Sequence, residues 1–239
     1  MTTQRLSNQR VLVIGGSSGI GFATAAAAVG AGAAVTIASR NQKKLDAVSA
    51  NLSGAVQTRV LDTADNNLVE RFFQQEEAWD HVVVSAAQTK GGPVRGLSLA
   101  DAAAAMESKF WGAYRVARAV RVKVGGSLTF ISGFLSERPS GTAVLQGAIN
   151  AALESLARGL ALEFAPIRVN AVSPGLIETP IWDSVPSEKR QAFFDGAAAK
   201  LPVGRIGQPH DIANAVLFVM TTPFATGSTV RVDGGAVIA

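Results

Sequence analysis

Residues 11–21 read Val11-Leu12-Val13-Ile14-Gly15-Gly16-Ser17-Ser18-Gly19-Ile20-Gly21, an apolar run that stops at glycine and continues into the alanine-rich stretch Phe22–Val29. Aliphatic, partly β-branched residues before the glycines and strong helix formers after them predict strand, tight turn and helix in that order. Gly15 suits the turn off the strand. Gly19 lets the backbone approach a pyrophosphate with no Cβ between them, and Gly21 lets the helix pack hard on the sheet. The start of that helix offers unpaired N–H groups and the positive end of its dipole to the same anion. The run from Gly15 to Gly21, with Ser17, Ser18 and Ile20 between the glycines, is thus the expected cradle for a dinucleotide's phosphates.

Working outward, short apolar runs alternate with longer segments of helical period, the pattern of βαβ units and a doubly wound parallel sheet covered on both faces. Strands are expected near Arg10–Ile14, Ala33–Ala38, Val56–Leu61, His81–Ser85, Ser127–Ser132, Arg168–Val172 and Thr229–Val232. Helices fill 19–31, 41–51, 65–76, 99–123, 143–164 and 209–220, with cap or turn signals at Asn41, Asp65 and Pro209. The segment 179–204 breaks the rhythm with three prolines and an amphipathic piece at Glu188–Phe194, and reads as a substrate lid.

The whole chain is 239 residues, 48% hydrophobic and 17% charged, with no cysteine, which excludes a disordered chain, a coiled coil or a disulfide scaffold and fits one α/β domain. The two uncharged stretches, Phe22–Ala38 and Ile212–Val230, are too glycine-rich or too interrupted by polar residues and Pro223 to read as membrane spans. A net charge of +4 from scattered basic residues, with 6% aromatics, argues against a nucleic-acid surface. The polar start, Met1–Arg10, carries no apolar secretory stretch, so cytoplasm is the expected compartment.

The second strand ends at Ser39-Arg40, where the adenosine ribose of a dinucleotide belongs. An acidic residue there would accept from both ribose hydroxyls; Arg40 instead offers a guanidinium fork to a 2′-phosphate, pointing to NADP(H). Arg40 as a solvated residue opening the next helix is the plainer alternative. Ser17, Ser39 and Asn41 are candidate donors to the same phosphate. Asp62, after the third strand, either accepts from an adenine amino group or caps the next turn.

The glycine pattern at this position resembles that of the short-chain dehydrogenase/reductase family. The likeness continues through Asp80-His81-Val82-Val83-Val84-Ser85-Ala86-Ala87, similar to that family's fourth-strand element, and through the nicotinamide-side loop Pro174-Gly175-Leu176-Ile177-Glu178-Thr179, to Val232-Asp233-Gly234-Gly235 at the closing strand. The resemblance implies a seven-stranded Rossmann-type sheet and cofactor contacts from Ser85, Ala86, Ala87, Pro174, Gly175, Ile177 and Thr179. It also implies a small-molecule substrate and a homodimer or homotetramer built on the two long helices, whose Phe110, Trp111, Tyr114, Leu153, Leu156 and Leu160 look like surplus apolar surface.

The family's chemistry rests on a tyrosine, a lysine four residues on, an upstream serine and an asparagine on the preceding long helix. This sequence places Gln146, Asn150, Gly133 and Lys109 at those positions. The sole tyrosine, Tyr114, lies in the earlier helix and reads as a packing or interface residue. Lys109 is the candidate replacement: it aims a cation at the region vacated where Asn150 stands in place of the usual lysine, to hold a ribose hydroxyl or to act as a proton donor. Gln146 can donate a hydrogen bond but gives up no proton. Ser132 precedes the serine position and points to the other side of the strand.

His81 and His210 read as structural, and no cluster suggests a metal site. Gly15-Gly16-Ser17-Ser18-Gly19 formally fits a hydrolase elbow, but it follows the first strand and runs on as a dinucleotide loop. Two functions remain: an NADP(H)-dependent oxidoreductase working without the tyrosine–lysine pair, or an NADP(H)-binding sensor or supporting subunit without turnover.

Overall fold

The protein, available as a computed structural model, is described for residues 5–239 apart from 53 and 55; the first four residues of the polar start lie outside that description. Among the described residues, one all-parallel sheet holds β1 (Arg10–Ile14), β2 (Ala34–Ser39), β3 (Val56–Val60), β4 (Trp79–Val84), β5 (Val122–Ile131), β6 (Arg168–Pro174) and β7 (Thr229–Val232), in the order β3-β2-β1-β4-β5-β6-β7. The chain winds outward from β1 to β3, then returns to lay β4 beside β1. The carboxyl ends of β1 and β4 therefore flank the point where winding reverses, the crevice in which such sheets bind ligands.

The helices are α1 (Gly19–Gly30), α2 (Gln42–Ser49), α3 (Asn66–Gln75), α4 (Leu99–Met106), α5 (Gly112–Ala119), α6 (Val144–Glu163), α7 (Ser187–Ala198) and α8 (Pro209–Thr221). Alternate residues of each strand serve opposite layers. Leu12, Ile14, Val82 and Phe130 pack on Phe72 and Phe73 of α3, Val116 of α5 and Leu153 of α6. Val11, Val13, Val35 and Val172 pack on Ala25 and Ala28 of α1 and Ile212 and Val216 of α8. Strands covered on both faces need no polar alternation, hence the unbroken aliphatic runs in the sequence.

Three expectations change. The helix expected over 99–123 ends at Ala119, because the β-branched run of Val120, Val122 and Val124 feeds β5, whose Val122 pairs with Trp79 before the register shifts. That helix is also broken by a π-helical turn at Glu107–Trp111, closed by Gly112 N–H on the Glu107 carbonyl. The piece expected around Glu188–Phe194 is a regular helix over Ser187–Ala198, made of good helix formers after Pro186. The ends of this insertion are joined: Ile177 bridges Gly207, Glu178 N–H donates to the Gly207 carbonyl at 2.9 Å, and Gly207 N–H to the Leu176 carbonyl at 2.9 Å.

One buried polar group on β4 is fully engaged. His81, 4% exposed on β4, engages Ser127 Oγ through Nδ1 and Gln9 Oε1 through Nε2, each at 2.8 Å. Burial, seconded by the Arg168 guanidinium, pushes its pKa down to about 4, so the ring is neutral at neutral pH. His210 is exposed at the start of α8, 3.7 Å from Asp211.

Candidate active site

At the switch point the loop after β1 turns with Gly15 at φ +87° against the backbone of Ala86, while Ser85 N–H donates to the Ile14 carbonyl at 2.8 Å. Gly19 has φ +52°, and a Cβ there would lie 3.3 Å from Thr179 Cγ2, so the loop tip faces the foot of the insertion. A Cβ on Gly21 would fall 2.2 Å from the Gly15 carbonyl oxygen. Gly21 thus lets α1 close on its own loop, a tighter constraint than the helix–sheet packing expected of it. Ser18 is the N-cap of α1 and makes no side-chain cap bond, and no acidic residue stands in the first turn. The helix start keeps N–H groups and dipole for an external anion.

Toward the adenosine end, Ser39 closes β2 and Arg40 follows, exposed, its Nη2 donating to Gln88 Oε1 at 2.9 Å across the mouth of the crevice. Two expected donors and acceptors are committed locally. Asn41 Oδ1 accepts from Lys44 N–H as the cap of α2, and Asp62 Oδ1 accepts from Ala64 N–H at 3.0 Å, the turn-capping alternative. The Pro174–Thr179 loop is clamped by the closing segment: Gly175 N–H donates to the Val232 carbonyl at 2.9 Å. The Ile177 side chain is buried in the core and its carbonyl accepts from Trp182 Nε1, so a ligand can meet little more of it than backbone. Trp182, Phe193 and Phe194 pack together, Trp182 edge-on to Phe194 and tilted against Phe193, and Phe194 is buried, leaving Phe193 the more exposed of the two phenyl rings.

The four positions matched to the family's catalytic set, Lys109, Gly133, Gln146 and Asn150, meet near the start of α6. Gln146, Asn150 and Glu154 stand on successive turns of one helix face. Lys109 reaches them from the π-helical turn, its Nζ donating to Asn150 Oδ1 at 2.6 Å and to the Ser132 carbonyl at 2.8 Å. Burial lowers its pKa to about 8, against the opposing pull of Glu154. Gly133 is extended, and a Cβ there would sit 2.7 Å from Asn150 Nδ2: the asparagine amide fills the space a serine side chain would use. Gln146 Oε1 is buried with no protein partner, and its Nε2 faces Gly91 in the loop beyond β4. Tyr114 lies half-exposed on α5, packed on Phe110 and Trp111.

Ser132 Oγ points away from this group, donating to Glu154 Oε1 at 2.8 Å. The sequence reading missed Glu154, which is 6% exposed. Its spacing of four from Asn150 and eight from Gln146 was the available signal. Among the described residues, no group of three or more His, Asp or Glu side chains is placed to hold a metal ion.

A parallel sheet with a glycine turn and a bare helix start at its reversal point defines a Rossmann-type dinucleotide fold. A family model described as Enoyl-(Acyl carrier protein) reductase matches residues 15–237. The chain is 33% identical over 254 residues to the short-chain dehydrogenase/reductase ATR9 of Stachybotrys chlorohalonatus, covering 97% of this chain and 98% of that one. The crystal structure of a small-chain dehydrogenase in complex with NADPH superposes with a TM-score of 0.80 at 34% identity, over 97% of this chain and 99% of that chain. The NADPH-bound structure of a short chain oxidoreductase from Pseudomonas aeruginosa PAO1, described as containing an atypical catalytic center, has a TM-score of 0.86 at 27% identity, over 96% and 97%. The chain belongs to the short-chain dehydrogenase/reductase family, whose members are NAD(P)-dependent oxidoreductases.

Proposed function

We propose that the protein is an NADP(H)-dependent oxidoreductase of a small carbonyl or hydroxyl compound that works without the family's tyrosine–lysine pair. The observation carrying this reading is Lys109, a cation seated on Asn150 at 2.6 Å. The glycine turn and bare start of α1 fit a pyrophosphate, and Arg40 fits a 2′-phosphate once its hand turns from Gln88. When bound, the cofactor supplies or accepts the hydride. Lys109 holds a proton beside the substrate oxygen, while Asn150 and the Ser132 carbonyl fix its direction. Gln146 contributes an amide that orients a substrate but moves no proton. The half-exposed Trp111 and Tyr114 suit a self-association face, in a homodimer or homotetramer; Leu153 and Leu160, expected there, are buried in the chain's own core. Among the described residues no helix is long and apolar enough to cross a membrane, and cytoplasm is the compartment we favour.

One observation favours the alternative of cofactor binding without turnover: the room of the orienting serine is filled by the Asn150 amide. NADPH binding by calorimetry, then NADPH consumption against a panel of ketones and aldehydes, separates the two. Binding with no consumption across the panel leaves the sensor reading; no binding removes both.

A further inference from the structure

Behind Lys109 lies a second layer of polar groups that the proposed reaction does not use. Glu154 is buried on α6, and its Oε1 accepts from Ser132 Oγ and from Ser136 Oγ, both at 2.8 Å. Ser136 belongs to the short 3-10 turn Phe134–Ser136 and also donates to the Gly133 carbonyl at 3.1 Å. The same residue, Ser132, thus offers its carbonyl to the Lys109 ammonium and its hydroxyl to the Glu154 carboxylate.

A buried carboxylate needs compensation, and two neutral hydroxyls supply hydrogen bonds but no charge. Other charges on the elements packed here are engaged or turned outward. Glu107 pairs with Arg115 at 2.6 Å, Glu137 with Arg231 at 2.6 Å, and Lys90 with Asp101 at 2.9 Å. Arg138 donates to the Ala236 carbonyl, and Arg158 and Glu163 of α6 are exposed.

We infer that Glu154 is a positioning residue of this site: bridged through Ser132, it is the counter-charge that keeps the Lys109 side chain protonated and seated on Asn150. The inference rests on the reading of Lys109 as the working cation of the site. Its logic is that of a buried ion pair with a serine between its members, in which loss of either charge leaves the other uncompensated.

The test is the titration of Lys109 itself, followed by NMR at its Hε–Cε resonance and assigned with Lys109→Met, in protein without cofactor. Wild-type Lys109 should titrate near 8. Glu154→Gln keeps an acceptor for both hydroxyls and removes the charge, so the Lys109 midpoint should fall by a pH unit or more, a tenfold loss of proton affinity. An unchanged midpoint in the folded variant overturns the inference, because a residue that only packs would leave the titration where it was. Should Glu154→Gln not fold, Glu154→Met carries the same expectation. Should neither fold, the melting temperature of Lys109→Met decides: a counter-charge pair requires it to fall, and an unchanged value refutes the pair. No cofactor enters the titrations or the melting measurement. A shifted midpoint together with unaltered NADPH binding by Lys109→Met would uphold Glu154 and count against the cofactor-side role of Lys109.

Discussion

Lys109 and Asn150 exchange the roles their positions carry in the family: the cation stands on the earlier helix, 2.6 Å from an amide oxygen that occupies the lysine position. Charge is thereby retained in the site while its origin moves from α6 to the π-helical turn. Lys109 lies within that π turn, a kind of turn common at functional sites. If Lys109 is the acid, Lys109→Met should lower kcat/KM by about 10²–10⁴-fold, the usual worth of general acid catalysis. Wild-type activity should be present below pH 8 and decline as pH rises through the Lys109 pKa of about 8, because the proton is then lost. A flat profile to pH 9.5 counts against it.

Arg40 is free to change partners, since its bond to Gln88 is solvent-exposed. Arg40→Asp should weaken NADPH by roughly two orders of magnitude, through loss of a charge-assisted pair and gain of a repelling carboxylate, and should favour NADH. Equal affinities of the wild-type protein for NADPH and NADH, measured by fluorescence titration, would refute the preference.

Gly19→Val should fold with a lowered melting temperature and bind no NADPH detectable by calorimetry. The left-handed φ costs a branched residue about 1–2 kcal/mol, and its side chain would enter the space between the loop tip and Thr179. Wild-type affinity in this variant would place the pyrophosphate elsewhere.

Restoring the family serine alone should harm the protein. In Gly133→Ser the new Cβ meets the Asn150 amide at 2.7 Å inside a packed region, and overpacking of this kind costs about 1–3 kcal/mol. Adding Asn150→Ala should recover most of the loss by chemical denaturation. Equal stability of Gly133→Ser and wild type would show that Asn150 yields easily.

His81 sets an acid limit on stability. Its folded pKa is depressed to about 4, below the unfolded value near 6.5, so the unfolded chain takes up the proton first. Stability is unaffected by this group above about pH 7 and falls as pH drops from 6.5 toward 4, by about 3 kcal/mol at most. In His81→Gln that slope should vanish from the denaturation midpoints, whatever the loss in overall stability.

The strand, turn and helix around Gly15–Gly21 were legible in the sequence because their constraints are local: a strand tip, a turn and a helix start all speak through Gly15, Gly19 and Gly21 within seven residues. The strand order after β3, and with it the crevice, follows from the resemblance. Lys109 and Asn150 were legible as a pair because both occupy positions of known role. Glu154 was not, since an acid beside alanines and serine on a long helix looks the same whether it faces water or a buried cation. Leu153 and Leu160 show the converse: periodicity announces an apolar face without saying what covers it. The π-helical turn leaves no mark on composition.

The bridge between Ile177 and Gly207 makes the insertion between them a stapled cassette. Its base is fastened further by Gln208 to Glu178 and by Arg205 to Asp211, so both ends are fixed within the frame of the sheet. Residues 181–200 can therefore be exchanged for those of another family member with both anchor points and the Thr179 contact to the Gly19 turn unchanged, recutting the cover over the crevice while its floor keeps its shape.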